Sequence, residues 1–208
     1  MNDFYQKYFQ DYHAATFGVD PGSFLTPFAQ YLTAGDHILD VGCGSGRDLV
    51  WLKKNNFEIT GFERAVGLAA LARRHAGCAV IEGDFETYDF SKFLYDGVLM
   101  CGALVHTPHE RLARVVGNIV QGVRENGIVL ISLKEGTGSA RKKDSRVFYY
   151  WQDADLRDVF KRQGLVCLAF HRDVSKVNAR DIWLSYTLQK SATDPIFTSR
   201  VSKISNEC

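Results

Sequence analysis

The sequence predicts an α/β fold: a doubly wound, mostly parallel sheet that ends in one antiparallel strand. Three observations predict it. Apolar runs alternate with helix-like segments along most of the 208 residues. Several of those runs are near-continuously hydrophobic, as strands buried on both faces of a parallel sheet are. The last two runs are separated only by the segment from Val174 to Asp181, which permits an antiparallel hairpin but no parallel crossover.

The strand candidates, in order, are His37–Val41, Phe57–Phe62, Cys78–Glu82, Tyr95–Cys101, Gly127–Lys134, Leu165–Asp173 and Ile182–Gln189. The clearest helix runs from Glu110 to Arg124, with Leu112, Val115, Val116, Ile119, Val120 and Val123 forming one apolar stripe at steps of three and four. Pro108 suits its first turn, and Gly127 ends the segment after it. A later helix spans Asp153–Gln163, with Leu156, Val159 and Phe160 on one side and Gly164 as its terminator. Residues 1–36 form helical segments rich in Tyr and Phe, set in front of the first strand as a cap. One domain over residues 1–190 is expected, followed by a polar, flexible tail over 191–208.

Lysine plus arginine number 25 against 24 for aspartate plus glutamate, a net charge of +1, so no overall charge favours nucleic acid or a membrane surface. No stretch has the roughly 18 apolar residues of a membrane span, and the first residues lack the apolar run of a signal peptide. Cys43, Cys78, Cys101, Cys167 and Cys208 are odd in number and widely spaced, which fits reduced thiols in the cytoplasm. The pattern implies no metal site.

The stretch ILDVGCGSGRDLVWL, Ile38 to Leu52, places Gly42, Gly44 and Gly46 between a strand and a helix. Glycines there let the backbone turn sharply and let a ligand lie directly on it. A dinucleotide site asks for G-x-G-x-x-G with pyrophosphate at the helix start. The spacing G-x-G-x-G, with Asp40 in front, suits a ligand carrying a positive centre and a carboxylate better. Glu63 ends the second strand, where an acid grips both hydroxyls of a ribose. Asp84 follows the third strand, with Phe85 beside it as a flat contact for a base. Cys101 to Leu104 follow the fourth strand. These features succeed one another at the carboxyl ends of the strands, the edge at which open α/β sheets bind ligands.

At these residues the sequence resembles the class I S-adenosylmethionine-dependent methyltransferases of the small-molecule type. The likeness covers about Phe24 to Leu188, through ILDVGCGSG, ITGFE, EGDF and YDGVLMCGALVHTP with the strand beyond it. It implies a seven-stranded Rossmann-like sheet with an antiparallel last strand under an N-terminal helical cover. It implies S-adenosylmethionine as the cofactor. Asp40, Gly42, Cys43, Gly44 and Gly46 then line its methionine end, Glu63 holds the ribose, Asp84 and Phe85 flank the adenine, and Cys101 and Leu104 border the sulfonium. Many relatives carry Asp, a small residue and Ser after the second strand, where this chain has Glu63-Arg64-Ala65.

Methyl transfer from a sulfonium is an in-line displacement served largely by positioning in a dry pocket, so a general base is optional. His106, just past the fourth strand, is the candidate base. Tyr8, Tyr12, Lys134, Glu135, Arg146 and Tyr150 (or its neighbour Tyr149) are candidate acceptor contacts. Tyr5, Tyr8 and Tyr12 recur at steps of three and four and so share a helix face, and the segment Arg141–Trp151 forms a loop that serves as a lid. Arg172, Arg180 and Trp183 read as structural. The expected partner is a small-molecule substrate; the oligomeric state is open. Three alternatives stand beside this reading: a methyltransferase acting on RNA or protein, a non-catalytic S-adenosylmethionine-binding protein, and a nucleotide-linked oxidoreductase. The fourth strand ends in CGALVH, not the Asn/Asp-Pro-Pro-aromatic motif that marks methylation of base or amide nitrogens.

Overall fold

The computed structural model describes residues 4–192. Its strands are β1 (His37–Val41), β2 (Glu58–Glu63), β3 (Ala79–Glu82), β4 (Tyr95–Cys101), β5 (Val123–Lys134), β6 (Ser139–Arg141), β7 (Val147–Tyr149), β8 (Leu165–Val174) and β9 (Ile182–Lys190). Seven of them form one sheet in the order β3-β2-β1-β4-β5-β9-β8, and β6 pairs with β7 alone. β1 to β5 run parallel, while β9 lies antiparallel between β5 and β8. The expected antiparallel last strand is therefore present, inserted by the short turn that follows β8.

The strand pleat divides the core between the two faces. Leu39, Val41, Val98, Met100, Val129 and Ile131 face helices α6 (His109–Val120) and α7 (Asp153–Arg162). Ile38, Leu99, Ile128 and Leu130 turn to the other face, against α3 (Gly22–Ala29) and Leu52 of α4 (Arg47–Lys54). Beside them α5 (Val66–Ala76) packs Ala69, Ala72 and Ala76 on Leu49 and Val80. The stripe read in the sequence is the buried face of α6: Leu112, Val115, Val116, Ile119 and Val120. At about 1.5–3 kcal/mol per buried aliphatic side chain, that stripe outweighs any helix propensity.

Two local expectations are corrected. The helix ends at Val120 and not Arg124, because Val123 already pairs with Tyr95 and the register then shifts before Gly97 meets Ile128. The expected loop over Arg141–Trp151 contains a hairpin, in which Ala140 faces Phe148. The N-terminal helices divide between two layers. α3 buries Leu25 and Phe28 as part of the helix layer, whereas α1 (Phe4–Lys7) and α2 (Phe9–Thr16) bury no residue and lie outside it. From residue 193 onward, the expected tail lies outside the described residues. Among the described residues, no helix is long and apolar enough to cross a membrane.

Candidate active site

Strand order reverses between β1 and β4, and the loops leaving their carboxyl ends meet there. Gly42, Gly44 and Gly46 all take positive φ, at 75°, 55° and 88°. Two of them admit no side chain. A Cβ on Gly42 falls 2.7 Å from the Cβ of Ala103, in the loop after β4. One on Gly46 falls 2.9 Å from the Cα of Ala72, so that residue lets α4 seat on α5.

Four of the loop's amides are already bonded. Gly42 and Cys43 donate to the Phe62 carbonyl at 2.7 and 3.1 Å, and Gly46 donates to the Cys43 carbonyl at 3.0 Å. Gly44 donates to Glu63 Oε2 at 3.0 Å, while Ala65 donates to Oε1 at 2.8 Å. The carboxylate at the end of β2 therefore organises the glycine loop. A pyrophosphate, which needs free amides, has none of these four to bind. Glu63 still has acceptor capacity, since each carboxylate oxygen carries two lone pairs. Burial nevertheless pushes its carboxyl above the usual range, against the pull of its amide donors.

Asp40 is buried beside this loop, and its Oδ2 has no hydrogen-bond partner. Burial first, and then the nearby Asp48 carboxylate, hold its carboxyl well above the ordinary range. Asp48 is in turn paired with Arg47 at 2.6 Å, and the Arg47 guanidinium lies over the Phe24 ring at 5.4 Å. An unpaired buried carboxyl is costly, so this one is a natural acceptor for a ligand cation. Cys43 contributes only backbone, because its side chain packs with Leu49 and Ala69 beneath the loop. Cys101 is half-buried at the end of β4, and Leu104 is part of the main core. Asp84 accepts from the Glu86 amide at 3.0 Å and stands 3.9 Å from Arg64, with Phe85 half-buried against the core.

Over this edge lie α1 and α2. The Tyr12 ring stands 3.5 Å from where a Gly44 Cβ would be, and its hydroxyl is pushed up by burial. Tyr12 meets Tyr5 edge-on at 5.1 Å, and the Tyr5 hydroxyl reaches His106 Nε2 at 2.9 Å. Nδ1 of His106 donates to the Val147 carbonyl at 2.5 Å. Burial lowers the His106 pKa, so the ring is neutral and presents Nε2 as an acceptor. Arg146 packs its guanidinium on Phe4 at 3.9 Å and pairs with Asp144 at 2.7 Å. Lys134 is buried at the end of β5, bonded to Asp181 at 2.7 Å, with Phe148 and Trp183 at 4.4 and 5.5 Å from its ammonium.

The structure thus brings Asp40, the three glycines, Glu63, Tyr12, Lys134, Arg146 and His106 along one sheet edge. It does not bring Tyr8 there. Backbone angles of −114° and 33° at Tyr8 break the helix between α1 and α2, so the tyrosine stripe splits and Tyr8 is left 38% exposed beside Lys7. Nor does it bring Glu135, which follows Lys134 on the opposite side of the strand and holds Arg172 at 2.7 Å. Tyr150 packs its ring on Gly136 and accepts from His109 at its carbonyl. Tyr5 and Trp183, absent from the sequence-derived contacts, belong to the edge. Trp183 lies against Gly102, 3.1 Å from where a Cβ there would be. The tyrosine stripe and the Trp-bearing last strand were the available signals.

Sheet order and a glycine loop at the switch point give a Rossmann-like methyltransferase fold. Residues 38–127 match the family model described as a methyltransferase domain. No curated protein sequence matches the chain. Solved structures do. Magnesium protoporphyrin IX methyltransferase from Synechocystis PCC 6803, with S-adenosylhomocysteine bound, superposes with a TM-score of 0.73 at 14% identity over 91% of this chain and 98% of that one. The 1,6-didemethyltoxoflavin-N1-methyltransferase of Burkholderia thailandensis gives 0.67 at 18% identity over 88% and 90%. A methyltransferase from Methanosarcina mazei gives 0.70 at 14% over 84% and 99%.

Proposed function

We propose that the chain transfers a methyl group from S-adenosylmethionine to a small-molecule acceptor. One observation carries the reading: a glycine loop whose Gly42, Cys43 and Gly44 amides are satisfied by Phe62 and Glu63, beside a buried Asp40 oxygen that lacks a partner. That combination fits a donor with an ammonium group and a ribose better than a pyrophosphate. Asp40 would hold the ammonium, the Cα surfaces of Gly42 and Gly44 would lie under the methionine chain, and Glu63 would accept from the ribose hydroxyls. Asp84 and Phe85 would border the adenine, and Cys101 and Leu104 the sulfonium.

When bound, S-adenosylmethionine supplies a sulfonium-activated methyl group. The chain's own part is to position the acceptor, to exclude water with the Tyr5–Tyr12 cover, and to take up a proton at His106. Lys134, Arg146, Phe148 and Trp183 form the side on which the acceptor would sit. The names of the two similar enzymes, each for a small-molecule acceptor, support that class of substrate. Four unpaired cysteines among the described residues support a reducing compartment, the cytoplasm.

Calorimetry tests the donor: S-adenosylhomocysteine should bind and NAD should not. Turnover on a panel of thiols, amines and carboxylates tests the acceptor class. Tight donor binding with no methylation of any small molecule would sink the small-molecule reading.

A further inference from the structure

Resting on the methyl-transfer reading, we propose that Tyr5, carried by the N-terminal cover, is a second proton-handling residue that forms one relay with His106. The relay is complete only while the cover is closed.

The geometry is directional. His106 commits Nδ1–H to the Val147 carbonyl, which fixes the tautomer and leaves the Nε2 lone pair for the Tyr5 hydroxyl. The Arg146 guanidinium stands 5.8 Å from the Tyr5 ring centroid, and its charge works against what burial does to the phenol. A phenol oxygen has two lone pairs, so it has acceptor capacity for the proton of an acceptor. On the far side, the Tyr5 ring touches Tyr12, which stands over Gly44 of the donor loop. Tyr5 thus joins the imidazole, through its hydroxyl, to the ring that stands over the donor loop.

The charged and titratable groups around the pair come from four elements: Arg146 and Asp144 in the β6–β7 turn, Lys134 of β5, Glu63 of β2 and Tyr12 of α2. Two cations and burial keep the imidazole neutral, so it is ready to accept at neutral pH. In the step, the acceptor X–H bond breaks as its proton passes to Tyr5 Oη, while the original Tyr5 proton passes to His106 Nε2. The electron pair left on X forms the new bond to the methyl carbon. The methyl–sulfur bond breaks with its pair remaining on sulfur, giving S-adenosylhomocysteine. The resulting imidazolium keeps both N–H bonds satisfied, at the Val147 carbonyl and at Tyr5 Oη. The cover that shuts out water also delivers the relay's first member, so closure and competence coincide.

The test is nitrogen NMR of the histidine rings in the full chain, free and with S-adenosylhomocysteine, with His106 assigned from the signal missing in His106→Gln. Expected is a neutral Nδ1–H tautomer at pH 7. In Tyr5→Phe, which keeps the ring packing on Tyr12, the Nε2 resonance should move downfield as its donor is lost. On any acceptor in the panel that wild type methylates, Tyr5→Phe and His106→Gln should each lower kcat by about a hundredfold, the low end of general acid–base effects, with KM changed far less. An Nε2–H tautomer, an Nε2 resonance indifferent to Tyr5→Phe, or wild-type kcat in that variant would each overturn the relay. S-adenosylhomocysteine failing to bind would refute the donor reading separately, while the free-protein spectra would still decide the pair.

Discussion

Glu63 is the most informative residue to remove, because the structure assigns it a measurable duty before any ligand arrives. Its two oxygens satisfy the amides of Gly44 and Ala65 at 3.0 and 2.8 Å. Glu63→Ala strands both, and a buried unsatisfied amide costs about 1–3 kcal/mol. Against that, the substitution relieves the desolvation that holds the carboxyl above its ordinary pKa. The net loss should therefore sit near the low end, about 2 kcal/mol, which in a domain of this size is a melting drop of roughly 4–8 °C. The donor then loses two hydrogen bonds to a charged acceptor at about 1.5–3 kcal/mol each, so its Kd should rise on the order of 10² to 10⁴-fold. Thermal unfolding and calorimetry with S-adenosylhomocysteine read the two effects separately. A melting drop with unchanged affinity would make Glu63 a loop organiser only. Wild-type melting and wild-type affinity together would refute the whole account of the loop.

Three further outcomes follow from the same geometry. A ligand cation on Asp40 favours its carboxylate, so binding should expel a proton and strengthen as pH rises through the elevated pKa of the free protein; calorimetry in buffers of different ionisation enthalpy reads the release, which Asp40→Asn should abolish. Gly46→Ala must hold φ near 88° with its Cβ 2.9 Å from the Ala72 Cα, so it should cost at least about 2 kcal/mol in denaturant unfolding, whereas Gly18→Ala, with nothing within 4 Å, should cost under about 0.5. Asp181→Ala leaves the Lys134 ammonium buried without its carboxylate and should destabilise by about 3 kcal/mol, while Lys134→Met combined with Asp181→Ala should recover most of that loss.

What the sequence made legible follows from how far each feature reaches along the chain. Asp40 and the three glycines lie within seven residues of one another in a strand, a turn and a helix start, and every one of them is constrained by local backbone geometry. The β9 insertion was equally readable, because a short turn after β8 admits only an antiparallel return. Even there, one detail escaped. The spacing shows that an acid stands at the end of β2, but not that the acid bonds back to Gly44 and holds the loop in place.

The opposite side of the edge has no local signature. Tyr5 and His106 are 101 positions apart and His106 and Val147 another 41, so their meeting depends on sheet order, on a break at Tyr8 and on the β6–β7 hairpin. A stripe of tyrosines at helical spacing points to Tyr8 only if the helix is continuous. With no buried side chain in α1 or α2 to enforce a register, the chain breaks there and Tyr5 turns inward instead. The cover seats on α5 through contacts of its own: Phe9 packs on Gly67, where a Cβ would fall 2.6 Å from the ring, Gln6 accepts from the Val66 amide at 2.9 Å, and His13 stacks on His75 at 5.0 Å. The residues proposed to face the acceptor are thus placed by packing between segments distant in sequence, and the donor loop by local backbone geometry.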